Sequence, residues 1–354
     1  MKQECLLCER TSPDSNLYCQ ETYCPAEMSP TILDYGDWLG NIEIVRPVIV
    51  LRSSVLYEAR CQKKKVLLKV AHPGPENSDK LKREAQFLQK LRREKAPSEY
   101  FPVWLPPYSN ASYTDEYGKV VLKGQLLYYS LFEYFDGEPL RAILAKSPQL
   151  WIYDIGWIMV GLASAVAVLQ SKGLFHFALS PDTLLVRYDD SSGAPSILLF
   201  DLGVISDREG LAWDWLPFFV PPAYTAPELI GASQPRADYA TDVYGLGLVL
   251  YELLVGQPTF PFKLYSDDEV YSAVRHNRRV PMTRTDVTMV AEIAVRAIEP
   301  DPAVRYADAR EMVEKLHKAF GTVPEKKRPV RAVVGVLIVV ALLSIVLLLL
   351  AAGK

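Results

Sequence analysis

The spacing of apolar and polar positions changes along the chain. From Ile42 to about Val70, three β-rich runs follow one another, IEIVRPVIVL, SSVLYEARC and KKVLLKVA, and predict an antiparallel meander. From Asp79 to Lys95, DKLKREAQFLQKLRREK carries Leu81, Ala85, Leu88 and Leu91 at helical spacing, so one face of a helix is apolar. Gln125–Tyr134 is again strand-like. After Gly137 the pattern is mostly helical, through WIYDIGWIMVGLASAVAVLQSKG, VYGLGLVLYELLVG and RYADAREMVEKLHKAF. A small β-rich part followed by a larger helical part predicts an α+β body with two lobes over residues 41–320. Residues 27–40, bearing Pro30, Asp34, Gly36 and Asp37, read as a linker.

Residues 332–352, AVVGVLIVVALLSIVLLLLAA, break this pattern: they are 21 residues without a charge. At about 1.5 Å per residue such a helix spans a hydrocarbon core of about 30 Å. The expectation is a single transmembrane helix. The basic stretch KKRPVR closes the juxtamembrane linker 321–331, and Lys354 is the one charged residue of the sequence beyond the span. This charge asymmetry puts the N-terminal body on the cytoplasmic side of the cell membrane. MKQECLLCER has no apolar core of a signal peptide, so the expected arrangement is tail-anchored. Lys plus Arg (39) nearly balances Asp plus Glu (42), and no basic field suggests a nucleic-acid partner.

Four of the five cysteines fall at Cys5, Cys8, Cys19 and Cys24. Two close pairs separated by a turn-rich loop can place four thiolates tetrahedrally around zinc, and residues 1–26 read as a zinc-ribbon-like segment. Disulfides or free thiols are the alternatives, less expected in a reducing compartment. Four sulfur ligands leave no open position, so the ion would be structural. Cys61 stands apart as a structural or incidental thiol.

Several motifs then occur in a telling order. They are VLLK ending at Lys69, KLKREAQFL with Glu84, LFEYFDGEPL, HFALSPDT, DLG at Asp201–Gly203, APE at Ala226–Glu228, TDVYGLG with Asp242, and DPAVRYADA with Arg305. Over residues 42–320 or so, the chain resembles the bacterial, eukaryotic-like serine/threonine protein kinase family. The resemblance implies that Lys69 and Glu84 pair to hold the nucleotide phosphates and that Asp201 takes magnesium. It makes Phe132 the gatekeeper and turns the backbone of Glu133 and Phe135 toward the adenine of ATP. It assigns structural roles to His176, Asp242 and the pair Glu228–Arg305, and it implies protein partners in signalling.

The sequence departs from that family where chemistry is done. The three glycine positions of the phosphate loop fall at Ile49, Leu51 and Ser54, where side chains obstruct close backbone approach to phosphate. Arg52 and Ser53–Ser54 are the remaining candidates for a phosphate contact there. In HFALSPDT, Phe177 replaces arginine and Ala178 the catalytic aspartate, while Ser180 replaces lysine and Thr183 the metal-binding asparagine. Alanine cannot accept a proton. Asp182, the nearest carboxylate, matches a solvent-facing acidic position of the family. The expectation is a catalytically impaired pseudokinase in which Lys69, Glu84 and Asp201 either still bind ATP with one magnesium or form a buried structural network that holds the lobes closed without ligand; the alternative is an active kinase with an atypical site. Between DLG and APE, Trp213, Trp215, Phe218 and Phe219 form an aromatic, proline-stiffened segment suited to packing on the large lobe or to a partner.

Overall fold

The computed structural model describes residues 2–4, 11–12, 31–94, 99–108, 115–188, 193–206, 219–231, 237–260, 265–283 and 288–320. The four clustered cysteines, Trp213, Trp215, Phe218 and the apolar segment 332–352 lie outside these residues.

Strands β1 (Lys2–Glu4), β2 (Thr11–Ser12) and β3 (Thr31–Ile32) form a small antiparallel sheet in the order β2-β1-β3. The larger sheet holds β4 (Trp38–Leu39), β5 (Ile42–Val50), β6 (Ser54–Cys61), β7 (Lys64–Ala71), β8 (Trp104–Leu105), β9 (Gly118–Leu122) and β10 (Gln125–Glu133). Its order is β4-β5-β6-β7-β10-β8, with β9 also paired to β10. The two-residue period of a strand sorts its side chains. Val66, Leu68 and Val70 of β7 face an outer core with Ile42, Ile44, Val55 and Tyr57, while Leu67 faces the other lobe. Lys69 lies opposite Leu56 and Ser130 on that inner face, so a one-residue slip would expel it.

Residues 31–39 were expected to be linker. Instead Ile32, Leu33 and Leu39 are buried in the outer core, and the Leu33 amide donates to the Tyr57 hydroxyl at 2.9 Å. The outer sheet face needs an apolar cover, and this segment supplies it. Helix α1 (Pro75–Arg93) begins at Pro75, whose fixed φ suits a first turn, and ends in basic residues that complement its dipole. Leu81, Ala85, Leu88 and Leu91 are buried as the periodicity requires, and Lys80, Glu84 and Gln89 are buried with them.

The second lobe contains β11 (Glu138–Pro139), α2 (Leu140–Lys146), α3 (Ile152–Gln170), β12 (Leu184–Arg187), β13 (Ser196–Leu199), α4 (Tyr239–Val255), α5 (Asp267–Arg275), α6 (Thr288–Ala297) and α7 (Ala309–Phe320). Helix α3 is as long and apolar as a membrane span, but most of it is buried in this lobe's core. Helix α4 starts on a reciprocal cap between Asp238 and Thr241 and stops at Gly256, whose φ of 82° is left-handed. Gly247 lets α4 approach α6: a Cβ there would lie 2.6 Å from that of Ala297.

Arg305 ties the lobe's base together. Its guanidinium donates to both Glu228 oxygens at 2.8 Å and to the carbonyls of Ala240, Glu299 and Pro300. It also lies over the Tyr244 ring at 4.6 Å. Removing one partner of a buried pair strands the other, so Arg305→Ala should lower unfolding free energy by about 3–5 kcal/mol. Arg305→Lys should recover a minor part, because an ammonium cannot reproduce the planar fork. Denaturant midpoints of the three proteins would check this.

Candidate functional site

Four charged side chains converge between the lobes. Strand β7 carries Lys69, α1 carries Lys80 and Glu84, and the turn after β13 carries Asp201. The Lys69 ammonium donates to Glu84 Oε2 at 2.5 Å and to Asp201 Oδ1 at 2.9 Å. The Lys80 ammonium donates to Asp201 Oδ2 at 2.7 Å. Glu84 Oε1 accepts from the Leu202 amide at 3.0 Å. None of the four side chains is more than 4% exposed. Burial pulls the Lys69 pKa down, but Asp201 and Glu84 outweigh it and the net shift is upward. For Lys80, burial wins over Asp201 and its pKa falls. Burial alone would raise the Asp201 pKa; the two ammonium groups more than reverse this and hold the carboxyl well below its usual range. Two cations against two carboxylates leave the cluster formally neutral.

Sequence reasoning found Lys69, Glu84 and Asp201 but missed Lys80. The signal was present: Lys80 sits one turn before Glu84 on the face that turns inward. The DLG turn makes the approach possible. A Cβ on Gly203 would lie 2.1 Å from the Lys80 carbonyl oxygen, and Asp201 itself takes a left-handed φ of 65°.

The loop at residues 175–183 keeps its scaffold. The Asp242 carboxylate accepts from the amides of His176 (3.0 Å) and Phe177 (2.8 Å). Burial pushes Asp242 up to about 6 against the pull of those amides. His176 is fully buried, lies 3.2 Å from the Phe200 carbonyl through Nε2, and is lowered to about 4 by burial. Phe177, at a φ of 60°, stacks on Phe175 with ring centroids 5.2 Å apart. Ala178 is buried in the same cluster with Val204, Phe219 and Val220. Where the resemblance expects a polar arginine and a carboxylate, the loop is packed with hydrocarbon. Thr183 does not face a metal: its Oγ1 donates to the Ser180 carbonyl at 2.8 Å.

Asp182 is also engaged, by Arg141 of α2 in a two-pronged pair at 3.0 Å on each arm. Arg141 further donates to Glu252 of α4 and to the Tyr224 hydroxyl, which donates to Glu252 Oε2 at 2.6 Å. Arg141, Tyr224 and Glu252 escaped the sequence reading, because contacts between residues this far apart leave no local period.

The roof is closed. The turn Leu51–Ser54 is held by the Leu51 amide on the Ser54 carbonyl at 2.8 Å and by the His72 amide on the Ser53 carbonyl at 2.9 Å. Ser53 and Ser54 are buried. Arg52 reaches across to α5 and pairs with both oxygens of Asp267 at 3.1 Å, so it spans the lobes. At the hinge, Phe132 packs edge-on against Phe200. The Glu133 amide donates to the Val103 carbonyl, and the Phe135 carbonyl accepts from the Gly137 amide, both at 2.9 Å.

Magnesium takes oxygen ligands in near-octahedral geometry at about 2.0–2.1 Å. Both Asp201 oxygens already accept from ammonium groups, and the Thr183 hydroxyl is turned to Ser180. The residues present do not fit a magnesium ion.

His72 gives the cleft a pH signature. Burial lowers it to about 4 from an ordinary 6.5, while its Nε2 lies 2.8 Å from the Leu51 carbonyl. Between those values the unfolded chain binds a proton that the folded chain refuses, so this contribution destabilises as pH falls. Asp242 works in the opposite sense, because its raised pKa lets the folded state take up the proton first. The expected result is therefore a difference. Stability of the native chain relative to His72→Gln should rise from about pH 4 to about pH 6.5 at about 1.4 kcal/mol per pH unit. Urea midpoints of both proteins across that range would measure it.

The comparisons agree with this geometry. The protein kinase domain model matches residues 57–318, beginning just past the closed Leu51–Ser54 turn. A probable serine/threonine-protein kinase of Clostridium perfringens is 29% identical over 203 residues, 54% of this chain and 27% of that protein. The serine/threonine-protein kinase PkaA of Streptomyces coelicolor is 30% identical over 141 residues, 40% of this chain and 25% of that protein. Human serine/threonine-protein kinase ULK3 is 30% identical over 150 residues, 42% of this chain and 30% of its own. This chain thus spans about a quarter to a third of the length of these relatives. With the two lobes, the Lys69–Glu84 pair and the Asp242-anchored loop in place, the chain belongs to the protein kinase domain family.

Proposed function

We propose that this chain is a membrane-anchored pseudokinase, a protein kinase domain that serves as a signalling scaffold or allosteric regulator of protein partners. The observation that carries the reading is Ala178, buried against Phe175 and Phe177 where the family places its proton acceptor. Loss of a general base costs about 10²–10⁴-fold in rate by itself. Family membership implies ATP and magnesium, and this chain's departure is greatest at magnesium, as the contacts of Asp201 and Thr183 argue. Two further parts of the proposal rest on sequence. Residues 332–352 anchor the chain to the cell membrane, with the kinase-like body cytoplasmic. Cys5, Cys8, Cys19 and Cys24 hold a structural zinc ion; the antiparallel pairing of β1 with β2 on either side of the Cys5–Cys8 pair supports this, because a metal-binding knuckle needs such a frame.

A second reading, an active serine/threonine kinase working through an atypical site, draws on the intact Lys69–Glu84–Asp201 set. One assay decides between them. With ATP and magnesium, transfer of the γ-phosphate to the chain itself or to a generic serine/threonine substrate should stay at the level of Lys69→Ala. Transfer that depends on Lys69 would establish the active kinase instead. For the ribbon, zinc should co-purify with the chain and be released by a thiol-reactive mercurial. Cys19→Ser should lose most of the metal; retention would remove zinc from the proposal.

A further inference from the structure

The charge cluster contains a cation that the family resemblance does not call for. We infer that Lys80 is a resident counter-cation that takes the place of magnesium at Asp201 and holds the cleft in its closed arrangement without a divalent metal. The inference deepens the pseudokinase reading and rests on it.

Position is the first argument. The Lys80 ammonium lies 2.7 Å from Asp201 Oδ2, the second oxygen of a carboxylate whose first oxygen is held by Lys69. A magnesium ion would have to displace an ammonium that is almost wholly shielded from water. The second argument is the company Lys80 keeps. Its ammonium also lies over the ring of Phe219 at 4.8 Å, and Phe219 belongs to the apolar cluster of Phe175, Phe177 and Ala178. A desolvated cation is favoured on an aromatic face. Lys80 thereby joins three elements that could move separately: α1, the DLG turn and the segment that follows it. The third argument is backbone fit. Gly203 lacks the side chain that would collide with the Lys80 carbonyl, so the turn and the helix are shaped to each other at this residue.

The consequence is specific. Glu84 is held by Lys69 and by the Leu202 amide, and Asp201 is neutralised from two sides by Lys69 and Lys80. The arrangement is complete through side chains of this chain, and Arg52 on Asp267 closes the roof over it. Lys80 acts as a positioning residue, and its charge, more than its bulk, is what does the work.

The test counts manganese by electron paramagnetic resonance on the full chain in detergent, with ATP present throughout. The native chain should bind no more manganese than Asp201→Asn. Lys80→Met, which keeps length and removes charge, should gain manganese affinity by about 10- to 100-fold, the scale on which neighbours of a metal site act. That gain should vanish in the Lys80→Met, Asp201→Asn double variant. Manganese bound by the native chain through Asp201 would overturn the inference, and so would a folded Lys80→Met that gains none. Should Lys80→Met fail to fold, hydrogen exchange on the native chain decides. The Leu202 amide should be as protected in EDTA as with magnesium and ATP; protection that appears with magnesium and ATP alone would sink the idea. None of these outcomes measures phosphate transfer, so failure here is distinct from failure of the pseudokinase reading.

Discussion

The sheet, α1 and the second lobe are joined at the Asp201 carboxylate. Asp201 receives an ammonium from the sheet and another from α1, and the turn that carries it gives the Leu202 amide to Glu84. Each ion of this cluster would be costly alone in so dry a place, and removing any one would leave its partner uncompensated. The placement of β7, α1 and the DLG turn is therefore mutually enforced. A sheet that slipped, a helix that rotated or a turn with a bulkier residue than Gly203 would each break the same set of contacts.

The larger lobe repeats the device twice. Arg305 collects Glu228 and three carbonyls beneath α4, while Arg141 collects Asp182, Tyr224 and Glu252 at the opposite end of that helix. In both, one guanidinium satisfies several buried acceptors with a rigid fork, which a single lysine could not do. Both fix short 3-10 turns: Pro227–Leu229 in one case, Pro181–Thr183 in the other. Nearby, hydrocarbon replaces charge. Phe177 stacks where the family resemblance puts arginine, and Ala178 is buried in the same apolar cluster. The loop keeps its shape because Asp242 grips its backbone amides, and amides are indifferent to which side chains follow. The backbone geometry of this loop is therefore set independently of the side chains at 177 and 178.

The closed roof follows the same logic. The turn is pinned by two backbone bonds, one within it from the Leu51 amide to the Ser54 carbonyl and one from the His72 amide after β7 to the Ser53 carbonyl. The side chain of Arg52 then lies free to reach Asp267 across the lobes.

Sequence by itself determined the local and periodic parts. β-rich runs predicted the sheet, helical spacing of Leu81, Ala85, Leu88 and Leu91 oriented α1, and ordered motifs named Lys69, Glu84, Asp201, Asp242, Glu228 and Arg305. Absences were legible as well, since alanine at 178 can accept no proton in any fold. Tertiary structure alone decided what fills the space. Residues 31–39 read as linker because their pattern is too short to have a period, yet the uncovered sheet face recruits Ile32, Leu33 and Leu39. Lys80 sits one turn before Glu84 on α1, but its buried partner Asp201, 121 positions away, is chosen by the fold. Arg141 and Arg52 likewise found their acids across 111 and 215 positions. Electrostatic pairing between distant residues has no sequence period, and so only the folded chain could choose those partners.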